Sequence, residues 1–135
     1  MSVTWFRFAR RFALGLALTF ALGAVGALAC RKERPLLEVK GGDPELGRQA
    51  IARWGCGGCH YVPGVAGAEG KISVPLFGFG DRSDIAGAAA NTPEALVMWI
   101  MNPQSIAPSA RMPKLGVNEK DAKDIAAYLY SLKSP

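Results

Sequence analysis

Cys56, Gly57, Gly58, Cys59 and His60 form the stretch on which the reading of this chain turns. Two cysteines separated by two residues and followed at once by a histidine suit covalent attachment of a haem. Each thiol can add to one vinyl group, and the adjacent imidazole then lies beneath the iron. The other uses of a CxxC pair fit less well. A redox dithiol is expected near a strand-helix-strand pattern, which this sequence lacks, and a structural zinc needs four ligands. With three cysteines and one histidine in the chain, and Cys30 far upstream in the leading segment, a tetrahedral site within the domain lacks a donor.

Because His60 is the single histidine, a second axial ligand to iron has to come from another residue type, and methionine is the natural one. Met1 is in the leader. Met98 and Met101 are three apart on an apolar helix beside Trp99, where core packing accounts for them. Met112 stands in the irregular run Ser109-Ala110-Arg111-Met112-Pro113 with Pro108 close by. It fills no helix face, so it is the candidate ligand.

Three helices are legible, and no alternating run is long enough for a convincing strand, so the fold class is all-α. Asp43-Pro44-Glu45 opens the first with a capping side chain, a proline and an acid at the positive end of the dipole. Leu46, Ala50, Ile51 and Trp54 make its apolar face, and Gly55 ends it. Thr92-Pro93-Glu94 repeats that start, and Asn102-Pro103 stops the second helix. Asn118 with Asp121 opens the last, where Ile125, Tyr128, Leu129 and Leu132 recur on one side and Lys120, Lys123 and Asp124 on the other. Between Tyr61 and Asn91 runs a glycine-rich segment too long for an ordinary connection. It needs something to wrap, and Val74, Leu76, Phe77 and Phe79 are expected to pack on a haem face.

From about Gly47 to Leu132 the chain resembles the class I c-type cytochromes, small all-α folds wrapped around one covalent haem c. Gly47 and Ile51 look like the family's first-helix residues that let the last helix cross closely. Val74-Pro75-Leu76 is similar to its Gly-Pro-x-Leu segment, with valine in place of glycine. The resemblance implies that the Pro75 carbonyl accepts a hydrogen bond from the His60 ring, and that Pro75, Trp99 and Tyr128 join Cys56, Cys59, His60 and Met112 in binding the haem. It implies a closed, six-coordinate, one-electron carrier with no small-molecule substrate. The enzyme-class alternative is a small haem peroxidase or ligand sensor in which the sixth position is open. Gly57, Gly58, Val62, Pro63, Val65 and Ala66 are a candidate docking rim beside the attachment site.

The leader supplies a place. The 18 residues from Phe12 to Ala29 carry no charge, follow Arg7, Arg10 and Arg11, and end in small residues before Cys30. Residues 1–30 thus read as an export signal, a lipoprotein signal with Cys30 acylated, or a retained membrane anchor. Residues 31–42 read as a charged linker, and 43–135 as the mono-haem domain. Of the formal charge of +5, the surplus belongs to the leader and to Arg31, Lys32 and Arg34. From Gly42 onward nine basic residues face nine acidic ones, and no basic helix face suggests nucleic acid. The expected setting is the outer, periplasmic face of a bacterial inner membrane, tethered there or soluble. The expected partners are redox proteins of respiratory or photosynthetic complexes, such as a quinol-oxidising complex or dehydrogenase and a terminal oxidase or reductase, with the chain a tethered carrier between them or a subunit of such a complex.

Overall fold

The computed structural model describes residues 37–134, so the leader and the candidate lipidation site Cys30 lie outside the described residues. Among the described residues three α-helices carry the architecture: α1 at Pro44–Arg53, α2 at Pro93–Met101 and α3 at Glu119–Ser131. Each starts where its capping residue stands. Asp43 Oδ1 accepts from the Glu45 and Leu46 amides at 2.8 and 3.1 Å. Thr92 Oγ1 accepts from Ala95 N, and Asn118 Oδ1 from Asp121 N. These side chains satisfy amide donors that a helix N-terminus leaves unpaired. Gly55, at φ +70°, turns the chain left-handed after α1 and delivers it into the cysteine pair. Among the described residues no helix is long and apolar enough to cross a membrane.

Helices α1 and α3 cross at Gly47, where a Cβ would lie 2.0 Å from the Asp124 carbonyl oxygen. The approach buries Ala50 and Ile51 against Ala122, Ile125, Ala126 and Leu129. Two positions on α3 differ from the helical-period expectation. Asp124, assigned to the polar side, is 2 % exposed. It accepts from Asp43 N at 2.8 Å and from Lys120 Nζ at 2.5 Å, so its buried carboxylate is partnered and ties the start of α1 to α3. Tyr130, rather than Tyr128, is the buried tyrosine of this helix. Met98 also departs from expectation: it is 54 % exposed, because α2 is covered by α3 on its Leu96 and Ile100 side only.

The linker expected over 31–42 gives way to packed chain by Val39, which is buried in the core. Gly42 N donates to the Val39 carbonyl, closing a turn that sets Gly42 against Lys123 and Ala127 of α3.

The long segment from Tyr61 to Asn91 is organised by hydrogen bonds. A two-residue antiparallel pair, β1 at Asp84–Ile85 and β2 at Ala89–Ala90, closes one end, and an isolated bridge joins Tyr61 to Glu69. Asn91 is the knot: its amide nitrogen donates to the Phe79 and Arg82 carbonyls while its oxygen accepts from Tyr130 Oη at 2.9 Å. Burial pushes the Tyr130 phenol up to about 12, so it remains a donor throughout the physiological range.

A further polar tie joins α1 to α3. Trp54 Nε1 donates to Asp121 Oδ2 at 2.8 Å, and Arg53 Nη2 to Oδ1 at 3.0 Å. The Trp54 bond, ahead of the Arg53 charge, holds the Asp121 carboxyl below its ordinary value. A carboxylate with a lowered folded value stabilises the fold above its unfolded value and loses that contribution as pH falls through the folded one. Asp121→Ala should therefore lower the unfolding free energy by about 1 kcal/mol at neutral pH, the size of one net hydrogen bond. The gap to the native protein should close below about pH 4, the unfolded value of aspartate. Urea unfolding of both proteins between pH 7 and 2 checks this, and a gap that widens on acidification would contradict it.

Candidate cofactor site

The cysteine pair sits on a tight turn directly after α1. A 3₁₀ turn at Cys56–Gly58 places the Cys59 and His60 amides on the Cys56 carbonyl, at 3.2 and 3.0 Å. The chain then loops back over this turn: Gly70 N reaches the Gly57 and His60 carbonyls, Ser73 N the Cys59 carbonyl, and Leu76 N the Tyr61 carbonyl. These bonds on either side fix the register of residues 73–76. They turn the Val74 carbonyl toward His60 Nδ1 at 2.7 Å, while the Pro75 carbonyl accepts from Arg82. The expected Pro75 bond to the imidazole is thus made one residue earlier, by Val74. A carbonyl only accepts, so Nδ1 carries the proton and the Nε2 lone pair is left for a metal.

His60 looks into a cavity of about 890 Å³. All three helices furnish its walls: Ile51 from α1, Leu96, Trp99 and Ile100 from α2, Ile125 and Leu129 from α3. Cys56, Val74, Leu76, Phe79 and Met112 border it too. A smaller recess of about 300 Å³ shares His60 and Met112 and adds Cys59, Ile72, Ser73, Arg111 and Pro113. Both cysteines, the histidine and one methionine therefore converge on one crevice. Its size and lining suit a large, flat, mostly apolar cofactor, and its Arg82, Ser83 and Asp84 end is polar. Cys56 and Cys59 are not joined in a disulfide. Burial pushes the Cys56 thiol up, the reverse of the lowered value of a redox CxxC thiolate.

The remaining candidates divide. Trp99 borders the cavity, whereas Pro75 and Tyr128 are not on its wall. The Tyr128 hydroxyl instead donates to the Pro63 carbonyl at 2.6 Å, clamping α3 to the loop after the cysteines. Phe77 is exposed and off the wall, its carbonyl held by Arg82. Val62 and Val65 turn into the core, so they are not a docking rim. The exposed apolar residues beside His60 are Ile72, at 82 %, and Val74, at 59 %. Met98 and Met101 do not border the cavity.

Residues 44–133 match the family model of cytochrome c. The chain belongs to the cytochrome c family. The cytochrome is 42 % identical over 89 residues to cytochrome c oxidase subunit 2 of Alkalihalophilus pseudofirmus, a match covering 64 % of this chain and 25 % of that protein. It is 33 % identical over 89 residues to cytochrome c oxidase subunit 2 of a Bacillus species, strain PS3, covering 63 % of this chain and 25 % of the relative. The chain spans about a quarter of the length of the curated relatives it matches. Its fold is similar to that of cytochrome c2 from Rhodobacter sphaeroides, with a TM-score of 0.53 at 23 % identity over 70 % of this chain and 98 % of the other. The fold is thus the small class I cytochrome c fold, and the cofactor is one covalent haem c at Cys56 and Cys59. A c-type haem supplies reversible one-electron exchange at iron.

Part of the site escaped sequence reasoning. Val74 acts through its backbone carbonyl, which no side-chain pattern announces. Ile85, Ala86, Gly87 and Ala88 form a wall of the cavity through the β1–β2 turn, two residues per strand being too few for a periodic signal.

Proposed function

We propose that His60 and Met112 are the two axial ligands of the haem iron, and that the cytochrome carries single electrons at the outer face of a bacterial inner membrane. One observation carries the ligation: Met112 shares both recesses with His60, while Met98 and Met101 border neither. The Val74 carbonyl holds the imidazole in one tautomer and orientation. With both positions filled, no site is left for oxygen, peroxide or another small substrate. The thioether favours the reduced state, and the apolar walls add to that preference.

The names of the relatives support a terminal oxidase as the acceptor; the proposed donor is a quinol-oxidising complex or a dehydrogenase. The uncharged run from Phe12 to Ala29 supports a tether, either as a retained helix or through an acyl group on Cys30. Mass measurement of the membrane-extracted protein tests the tether: a mature chain beginning beyond residue 30 with no acyl mass would overturn it.

Met112→Ala tests the ligation. The native ferric protein should show the weak far-red absorption of methionine bound to iron, and its reduced form should not take up carbon monoxide. The variant should lose the band, bind carbon monoxide and fall in potential by roughly 0.2 V, within the ~0.8 V over which axial ligands set haem potentials. A native protein without the band that binds carbon monoxide when reduced is a ligand sensor or peroxidase instead.

A further inference from the structure

The segment that presents Met112 has little backbone support of its own. Pro108 and Pro113 flank it and contribute no amide donor. The last backbone bond before it is Ala110 N to the Ala107 carbonyl at 2.8 Å. Among the described residues, the one hydrogen bond that reaches residues 111–116 comes from the Gln104 side chain, which also holds the Ala110 carbonyl just before them. Its Nε2 donates to the Ala110 carbonyl at 3.0 Å and to the Met112 carbonyl at 2.8 Å. The Gln104 amide nitrogen carries two hydrogens, so this single group can hold both carbonyls.

Gln104 is itself well fixed. It lies in the 3₁₀ turn Pro103–Ser105 that follows α2, next to Pro103, which is fully buried. Ile106 N and Ala107 N both return to the Pro103 carbonyl, at 3.1 and 3.0 Å. A rigid turn at the end of a core helix thus extends one amide across the loop from 105 to 112 and holds the backbone of the methionine that borders the cavity.

We infer that Gln104 is a positioning residue for Met112: its two hydrogen bonds hold the methionine against the iron and keep the sixth position closed. The inference rests on the ligation proposed above. A ligand held by a preorganised loop loses less freedom on binding than one on a mobile loop, so the closed state is favoured by the bonds that order the loop. Removing both bonds raises the fraction of protein with an open iron. An external ligand that must displace methionine then binds more tightly in proportion to that fraction.

Imidazole titration of the ferric holoprotein reads this directly, beside the far-red methionine band and the reduction potential. Gln104→Ala removes both donors, and Gln104→Glu keeps the shape while placing an acceptor against two carbonyls. Both should bind imidazole about tenfold to thirtyfold more tightly than the native protein, at about 1 kcal/mol for each net hydrogen bond lost. Both should also show a weaker methionine band and a lower potential. Ser105→Ala, which removes a bond from Ser105 Oγ to the Asn102 carbonyl in the same turn, should leave all three readouts at native values.

Gln104 variants with native imidazole affinity and a native band would overturn the positioning role and leave Met112 ligation standing. A native protein with no methionine band would overturn the ligation itself. Equal changes in Ser105→Ala and the Gln104 variants, or loss of helical circular dichroism in all of them, would assign the effect to the turn as a whole and overturn the specific role of Gln104.

Discussion

Replacing both Cys56 and Cys59 with serine is expected to abolish the fold along with the cofactor. Haem c is attached through those two sulfurs, and without it the cavity of about 890 Å³ has nothing to fill it. Open to water at its polar Arg82 and Asp84 end, the emptied crevice leaves its apolar wall hydrated, and each Leu or Ile side chain so exposed forfeits up to about 1.5–3 kcal/mol of burial, against the ~5–15 kcal/mol that a small domain has in total. The helices lose their shared surface at the same moment, since Ile51, Leu96, Ile100, Ile125 and Leu129 all border the cavity. Helices of 10, 9 and 13 residues are too short to persist alone in water. The double variant should therefore show no haem absorption, little helical circular dichroism and no cooperative urea transition. A cooperative transition at native denaturant concentration would show that protein packing alone sustains the fold.

The second large effect is expected at Gly47→Ala. The new Cβ would lie 2.0 Å from the Asp124 carbonyl oxygen and 3.0 Å from Ile125 N. Both are backbone atoms of a helix, which cannot rotate away as a side-chain tip can. Helix α1 must then move off α3, and the bond from Asp43 N to Asp124 Oδ1 moves with it. That leaves a buried carboxylate short of a donor. Overpacking costs about 1–3 kcal/mol where neighbours can shift, and here the backbone resists, so about 3 kcal/mol or more is expected. For a domain of this size it corresponds to a fall of roughly 10–20 °C in the thermal midpoint. Gln49→Ala, on the exposed side of the same helix, should change stability by less than about 0.5 kcal/mol. A Gly47→Ala midpoint within a degree or two of the native one would mean that the crossing is looser than these distances state.

Much of this architecture is legible from local chemistry. Asp43, Thr92 and Asn118 act as caps because the amides they satisfy lie two or three residues ahead of them in the chain. Gly55 ends α1 because the backbone there must turn left-handed. The cysteine pair with its histidine is equally local, since all the reacting atoms lie within five consecutive residues. The length of the segment from Tyr61 to Asn91 was itself a signal that part of the core is cofactor.

What stayed hidden depends on partners distant in sequence. Asp124 reads as a surface residue by helical period, and becomes a buried anchor only because Asp43, 81 residues away, brings it a backbone donor. Tyr130 and Tyr128 are two apart on one helix, and the choice of which to bury follows from where Asn91 lies. The imidazole meets the carbonyl of Val74 rather than Pro75 because bonds from Ser73 and Leu76 to the cysteine turn set the register between them. Local sequence thus specified the caps, the turns and the haem-attachment chemistry, whose partners are covalent neighbours. Tertiary packing selected which carbonyl meets the imidazole and which tyrosine is buried, because those choices rest on distances between segments that no local pattern encodes.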